Sequence, residues 1–234
     1  MKVAIMQPYF YPYIGYFQLM SVVDVFVIYD DIQYVKQSWI NRNRILVNGE
    51  SSYISIPLKK NSDYLHVRDR YLAATWDKDS LKLTQKLAGA YSKAPYFKEI
   101  YEPLKKAIVN SETNLFKFLF ENLLVVKDLL SIDTKLVVSS EIGDFTALQS
   151  QDKVVAICEA LGAKQYINPI GGVDLYNKND FSQKGVELSF IKSIPEEYPQ
   201  FRKPFQPFLS IIDVLMFNSI KKVKELLDTS YQFE

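Results

Sequence analysis

The sequence predicts an α/β fold built on a mostly parallel sheet, and three observations in its 234 residues carry that expectation. An apolar run from Val3 to Met6 leads into a Pro- and Tyr-rich turn from Gln7 to Pro12, a helix-length stretch from Ile14 to Val23 and a second apolar run from Val25 to Tyr29. The same grammar returns later, where LVVSSEI leads into DKVVAICEALG, closed by Gly162, and then into KQYIN. Near-continuous apolar runs joined by helices are the mark of parallel strands covered on both faces. In such units ligands bind beyond the carboxyl ends of the strands, which directs attention to Gln7 to Tyr13, to Asp30 to Arg44 and to the turn after KQYIN.

The remaining elements follow in order. Arg44 to Leu58 reads as a hairpin around Asn48-Gly49, the two-residue turn that most favours one. His66 to Leu72 reads as a short strand within a charged loop. Helical spacing runs from Lys78 to Ala90 and from Tyr96 to Val109, interrupted at Ala94-Pro95. A clearer helix spans Asn114 to Leu130, with Ser111 or Thr113 as its cap. VELSFI, at Val186 to Ile191, is the last strand, followed by helices near Ser210 to Phe217 and Ile220 to Leu227. The chain therefore reads as one Rossmann-like α/β domain over residues 1–234, with a hairpin and a helical insertion at about 78–130.

Composition narrows the function classes. Twenty-eight basic residues against 27 acidic give a net charge of +1, so no overall field favours nucleic acid or an anionic membrane. The single cysteine, Cys158, excludes an internal disulfide and suits a reducing compartment. With neither a secretory leader nor a run of apolar residues long enough to span a bilayer, the expected location is the cytoplasm. Sixteen tyrosines are unusual, and Tyr9, Tyr11, Tyr13 and Tyr16 fall within eight residues, a density that suits a pocket reading rings and hydroxyls together.

Chemistry-bearing residues gather around the same turns. Asp30-Asp31 closes the second strand; adjacent side chains there point to opposite faces, so at most one of the two is expected to be buried, and either offers a base or a ligand for a sugar hydroxyl or a divalent cation. Nothing supplies the third oxygen ligand that a metal site needs. In Asn41-Arg42-Asn43-Arg44 the guanidiniums share one strand face, and with Lys36 upstream they suit phosphate. Trp39 adds a stacking surface. His66 is the one imidazole available for acid–base work. Cys158 sits in an apolar helical run and reads as inert. Asn168-Pro169-Ile170-Gly171-Gly172 follows a strand, where two glycines let backbone amides approach a ligand, and Tyr176 adds a hydroxyl nearby. The segment EEYPQFRKPFQPFLSIIDVLMFN serves either as a wall of the site or as a dimer contact. GxSxG, Walker-type and zinc-ligand patterns are absent.

QPYFYPYIGYFQLM, DVFVIYDDIQYVKQSWINRNRI, APYF at Ala94 to Phe97, Tyr166 with its turn and Tyr176, and FLSIIDVLMFN together resemble the WbqC-like family, associated with O-antigen and other surface-polysaccharide gene clusters. The resemblance covers essentially the whole chain in order. It implies a role in making or modifying an activated sugar, with acyl or aminoacyl transfer to a nucleotide-linked amino sugar as the expected reaction. Acetyl-CoA or an acyl carrier protein is then the expected donor, and a homodimer the expected assembly. Arg42, Arg44 and Lys36 would hold the diphosphate, while the Tyr9 to Tyr16 cluster and Trp39 would stack on base or sugar. Asp30, Asp31 or His66 would accept the amine proton; Gln7, Asn41 or the Gly171-Gly172 amides would hold the oxyanion. Tyr13-Ile14-Gly15-Tyr16 is also similar to the H-x-G-H turn of the HIGH-type nucleotidyltransferases, with the glycine kept and both histidines replaced. The alternatives are a non-catalytic sugar-nucleotide-binding or assembly protein and an adenylating enzyme of the nucleotidyltransferase type.

Overall fold

A computed structural model describes residues 1–234. Its main sheet has six strands: β1 (Lys2–Met6), β2 (Val25–Ile28), β5 (Lys135–Val138), β6 (Gln165–Pro169), β7 (Glu187–Ser193) and β8 (Tyr231–Phe233). They lie in the order β5-β2-β1-β6-β7-β8, parallel except for β8. Counting only these six in chain order gives 3-2-1-4-5-6, the doubly wound arrangement, whose direction of winding reverses between β1 and β6. A separate hairpin pairs β3 (Arg42–Val47) with β4 (Glu50–Ser55). Its turn has φ of 54° at Asn48 and 87° at Gly49, as a type I′ turn requires.

Helix α1 (Ile14–Ser21) links β1 to β2. The long excursion from β2 to β5 holds the hairpin and then α2 (Trp76–Tyr91), α3 (Phe97–Ile108) and α4 (Leu115–Leu129). A short α5 (Ser139–Ile142) and α6 (Ser150–Leu161) lead to β6; a 3-10 stretch at Ile170–Leu175 and α7 (Lys178–Gln183) lead to β7; α8 (Ile211–Phe217) and α9 (Ile220–Thr229) precede β8. Helices α1, α4, α8 and α9 bury one sheet face with Phe17, Phe26, Phe118 and Leu215, while α6 and α7 cover the other with Val154, Cys158, Phe181 and Tyr166. That double covering is why the strands read as unbroken apolar runs.

Three local expectations are corrected. Residues 66 to 72 do not form a strand: Gln33 bridges His66, Leu58 bridges Leu72, and a 3-10 turn at Val67–Asp69 lies between. The cap of α4 is Asn114 itself, whose side chain accepts from the Lys117 amide at 3.1 Å, in place of Ser111 or Thr113. LVVSSEI is a strand only to Val138. Ser139 and Ser140 turn into α5 because their hydroxyls and one amide are drawn onto the Asp30 carboxylate. No helix is long and apolar enough to cross a membrane.

The Pro-rich segment from 194 to 210 is tied down by Asp213, which is fully buried in α8. Its carboxylate accepts from Tyr91 Oη at 2.7 Å, Tyr198 Oη at 2.7 Å and Gln200 Nε2 at 2.9 Å, with no cation paired to it. Burial pushes this carboxyl above its ordinary range, against the pull of the three donors. Asp213→Ala leaves one buried and one half-buried phenol without an acceptor, so urea denaturation is expected to show a loss of about 2–4 kcal/mol. A loss below about 1 kcal/mol would mean that water replaces the carboxylate there.

Candidate functional site

The carboxyl ends of β1 and β6 form a cleft because the two strands part company. Strand β1 pairs with β2 from Val3 to Met6, but with β6 only at Lys2 and Val3. Beyond Val3 the sheet opens where the winding reverses, the position at which doubly wound sheets bind ligands. The loop after β1 fills the opening and is held rigidly. Phe10 N donates to Trp39 O at 3.0 Å, Asn43 Nδ2 donates to the Phe10 and Tyr11 carbonyls at 3.0 and 2.8 Å, and Ser210 Oγ donates to Tyr11 O at 2.7 Å. Tyr11 has φ of 42° and sends its hydroxyl to Asn122 in the core.

Two lobes flank this loop and share Met6 and Tyr9. The smaller, about 370 Å³, lies between the first turn of α1 and the hairpin, with Tyr13, Gly15, Tyr16, Trp39, Arg44, Ser193 and Phe208 among its walls. The larger, about 760 Å³, is more polar and runs from Gln7 past Asp31, Gln33 and His66 to Lys153, Asn168, Asp174 and Tyr176, with the start of α6 at Gln149 to Gln151 as its far wall. A third cavity, about 530 Å³, sits at the opposite end of the sheet near Asp24, Thr134 and Asp228 and has no aromatic wall.

The cleft brings together Gln7, Tyr9, Tyr13, Tyr16, Trp39, Arg44, Asp31, His66, Asn168 and Tyr176. It does not bring together the rest. Tyr11 is core, for the reason given above. Lys36 points to solvent and pairs with Asp63 at 2.8 Å. Arg42 shares a strand face with Arg44 but lies over the Tyr53 ring at 4.7 Å, away from both lobes. Asn41 is occupied by Tyr34 Oη and by the Ile56 carbonyl. A Cβ on Gly171 would meet nothing within 4 Å, whereas one on Gly172 would lie 2.2 Å from Asn168 Nδ2. Gly172 thus makes room for Asn168, which also accepts from Tyr166 Oη at 2.9 Å.

Asp30 and Asp31 are both buried, each 4% exposed, so the expectation that at most one is buried fails. They lie in a bend after β2, where strict strand alternation no longer applies. Asp30 accepts from Ser139 Oγ at 2.9 Å, Ser140 Oγ at 2.7 Å and the Ser140 amide at 3.1 Å, with Arg68 at 3.6 Å. Asp31 lies 2.6 Å from the same Ser139 Oγ, whose single proton is shared between the two carboxylates, and pairs with Lys153 Nζ at 2.8 Å. Burial works to raise the Asp31 carboxyl, but the hydrogen bonds from Lys153 and Ser139 and the ammonium charge outweigh it and hold it below its ordinary value. Such a carboxylate anchors α5 and α6 against β2 and is a weak base. By contrast, the His66 side chain makes no hydrogen bond to the protein and faces the larger lobe. Cys158 is buried, and burial pushes its thiol up to about 12.

Ser139, Ser140, Lys153, Ser193 and Phe208 were not singled out from the sequence. The one signal was Ser139-Ser140 directly after a strand; Lys153 stands 122 residues from its partner Asp31, a separation that periodicity does not bridge.

Two outcomes follow for this framework. Gly172→Ala is expected to cost about 1–3 kcal/mol in thermal or urea unfolding by displacing Asn168, while Gly171→Ala stays within about 0.5 kcal/mol. Because the folded-state value of Asp31 lies below its ordinary 3.8, its contribution is present above that pH and is lost as pH falls through the folded value. The gap in denaturation midpoint between wild type and Asp31→Asn is therefore expected to be constant from about pH 5 to 7 and to narrow below 3.8.

Comparison with known proteins places this geometry in a family. A curated relative, the uncharacterized protein Rv1507c of Mycobacterium tuberculosis, is 30% identical over 222 residues, covering 93% of each chain. The model of the WbqC-like protein family matches residues 7–225, a span that contains the loop after β1, the walls of both lobes apart from Ile5 and Met6, and the Asp213 hub. The chain belongs to the WbqC-like protein family.

Proposed function

We propose that this chain is a transferase that acylates the amino group of a nucleotide-linked sugar, in the making of surface polysaccharide. One observation carries the reading: two lobes of unlike chemistry meet at Met6 and Tyr9, at the point of a doubly wound sheet where ligands bind. The smaller lobe, walled by Trp39, Tyr13 and Phe208, suits a flat base; the larger, with Gln7, Asn168, Asp174 and Tyr176, suits sugar hydroxyls.

The groups most expected to form a covalent intermediate are withdrawn from that role: Cys158 is buried and protonated, and the Ser139 and Ser140 hydroxyls are committed to carboxylates. Direct transfer is therefore the economical route. The sugar amine nitrogen bonds to the acyl carbon of a thioester donor, the carbon–sulfur bond breaks, and the sulfur departs with the electron pair. The proton lost by nitrogen passes to His66, which returns it to the thiolate. Gln7, which lines the larger lobe, is the amide assigned to donate to the oxyanion. Asp31, held ionised by Lys153, fixes the wall beside His66 and leaves the base role to the imidazole.

Incubation with UDP-, dTDP- and GDP-linked amino sugars and acetyl-CoA or a loaded acyl carrier protein, read by mass spectrometry, tests the reading. His66→Asn is expected to lower kcat by about 100-fold or more with KM changed by less than about threefold. Binding of a sugar nucleotide without turnover against any donor would favour a sugar-nucleotide-binding protein, the reading that the commitment of Asp30 and Asp31 to structure also favours. If His66→Asn keeps full kcat while Asp31→Asn does not, the base is the carboxylate.

A further inference from the structure

We propose that the smaller lobe is a phosphate subsite, with Arg44 as its receptor, and that it takes the diphosphate of a nucleotide; this deepens the transferase reading and rests on it for the identity of the attached sugar.

The argument begins from charge. Only Arg68 among the five arginines pairs with a carboxylate. Arg44 donates once, to Phe208 O at 3.2 Å, and lies over the Trp39 ring at 5.6 Å; its Nε is buried and has no acceptor. A half-buried guanidinium with an orphaned donor calls for a complementary acceptor, since unpaired buried donors are costly and rare. The cavity wall opposite carries no anion that could serve: among its fourteen lining residues there is no aspartate or glutamate.

Other groups on the same walls lack partners too. Ser193 Oγ is buried, with the Tyr13 hydroxyl on the same wall as its one neighbouring polar group. The amide of Gly15, in the first turn of α1, donates to no acceptor, and Tyr13 supplies no side-chain cap. A Cβ on Gly15 would approach Ser193 Cβ to 3.1 Å and Ser193 Oγ to 3.3 Å, so only glycine keeps this end of the lobe open. A guanidinium, a hydroxyl and the Gly15 amide around one cleft match a tetrahedral oxyanion group better than a neutral one. Trp39 and Phe208 then flank the base, and the shared edge at Tyr9 directs the rest of the molecule toward His66. Arg42 and Lys36, which the sequence grouped with Arg44, contribute neither contact.

Trp39 supplies a local reporter. The only other tryptophan, Trp76, is buried against Phe118 in the core, so Trp76→Phe leaves Trp39 as the single tryptophan, excited selectively at wavelengths where the tyrosines do not absorb. Titration of that protein with inorganic pyrophosphate, UDP, uridine and succinate is expected to change Trp39 emission with pyrophosphate and UDP, while uridine and succinate bind at least about tenfold more weakly. Arg44→Gln and Gly15→Val are each expected to weaken UDP by about tenfold or more, with unchanged circular dichroism, and Arg44→Lys to restore part of the loss. Equal binding of uridine and UDP, preference for succinate, no response to any of the four, or an Arg44→Gln variant within about twofold of wild type would each overturn the subsite. If UDP binds as expected but no amino sugar is acylated, the subsite stands and the transferase reading falls. If transfer occurs undiminished in Arg44→Gln, the subsite falls and the transferase reading stands.

Discussion

The parting of β1 from β6 after Val3 is the constraint on which the rest of this molecule depends. A sheet that stayed paired to Met6 would leave no cleft, and the loop from Gln7 to Tyr13 would have nowhere to enter. That loop is in turn fixed from three distant parts of the chain: Asn43 on the hairpin, Asn122 on α4 and Ser210 before α8. The unusual backbone at Tyr11 is held by these contacts, and holding it places Tyr9 and Tyr13 on the cleft while Tyr11 turns inward. The insertion between β2 and β5 is therefore part of the site's construction.

Polar and charged groups around the cleft divide into two kinds. Asp30, Asp31, Lys153, Ser139 and Ser140 satisfy one another and lock α5 and α6 to the end of β2. Breaking such a buried set by removing one member exposes the others to the cost of an uncompensated charge. His66, Gln7, Arg44 and Ser193 have hydrogen-bonding capacity left over at the cavity walls. Saturated groups build; unsaturated groups on a cavity wall are those with work still to do.

The architecture was legible because it rests on local signals. Apolar runs named five of the six main strands, Asn48-Gly49 named the hairpin, and Gly162, with φ of 66°, named the end of α6. The three-residue β8 escaped because it is short and pairs antiparallel at an edge. The site was legible as a region but not in its roles. Arg42 and Arg44 do share a face, yet sequence spacing could not reveal that Tyr53 lies beneath one and Trp39 beneath the other. Asp30-Asp31 invited a strand rule at a place where the strand had already ended. Lys153, Ser193 and Phe208 carry no motif and reach the cleft only through the order of the sheet and the return of the 194 to 210 segment.

Hydrogen–deuterium exchange with and without UDP-linked amino sugar tests the central claim, that the cleft at the reversal of the sheet is the ligand site. The account predicts new protection in residues 7–16, 39–44 and 168–176, the segments that wall both lobes. Protection confined to residues 21–24 and 130–134, around the cavity at the opposite end of the sheet, would contradict it.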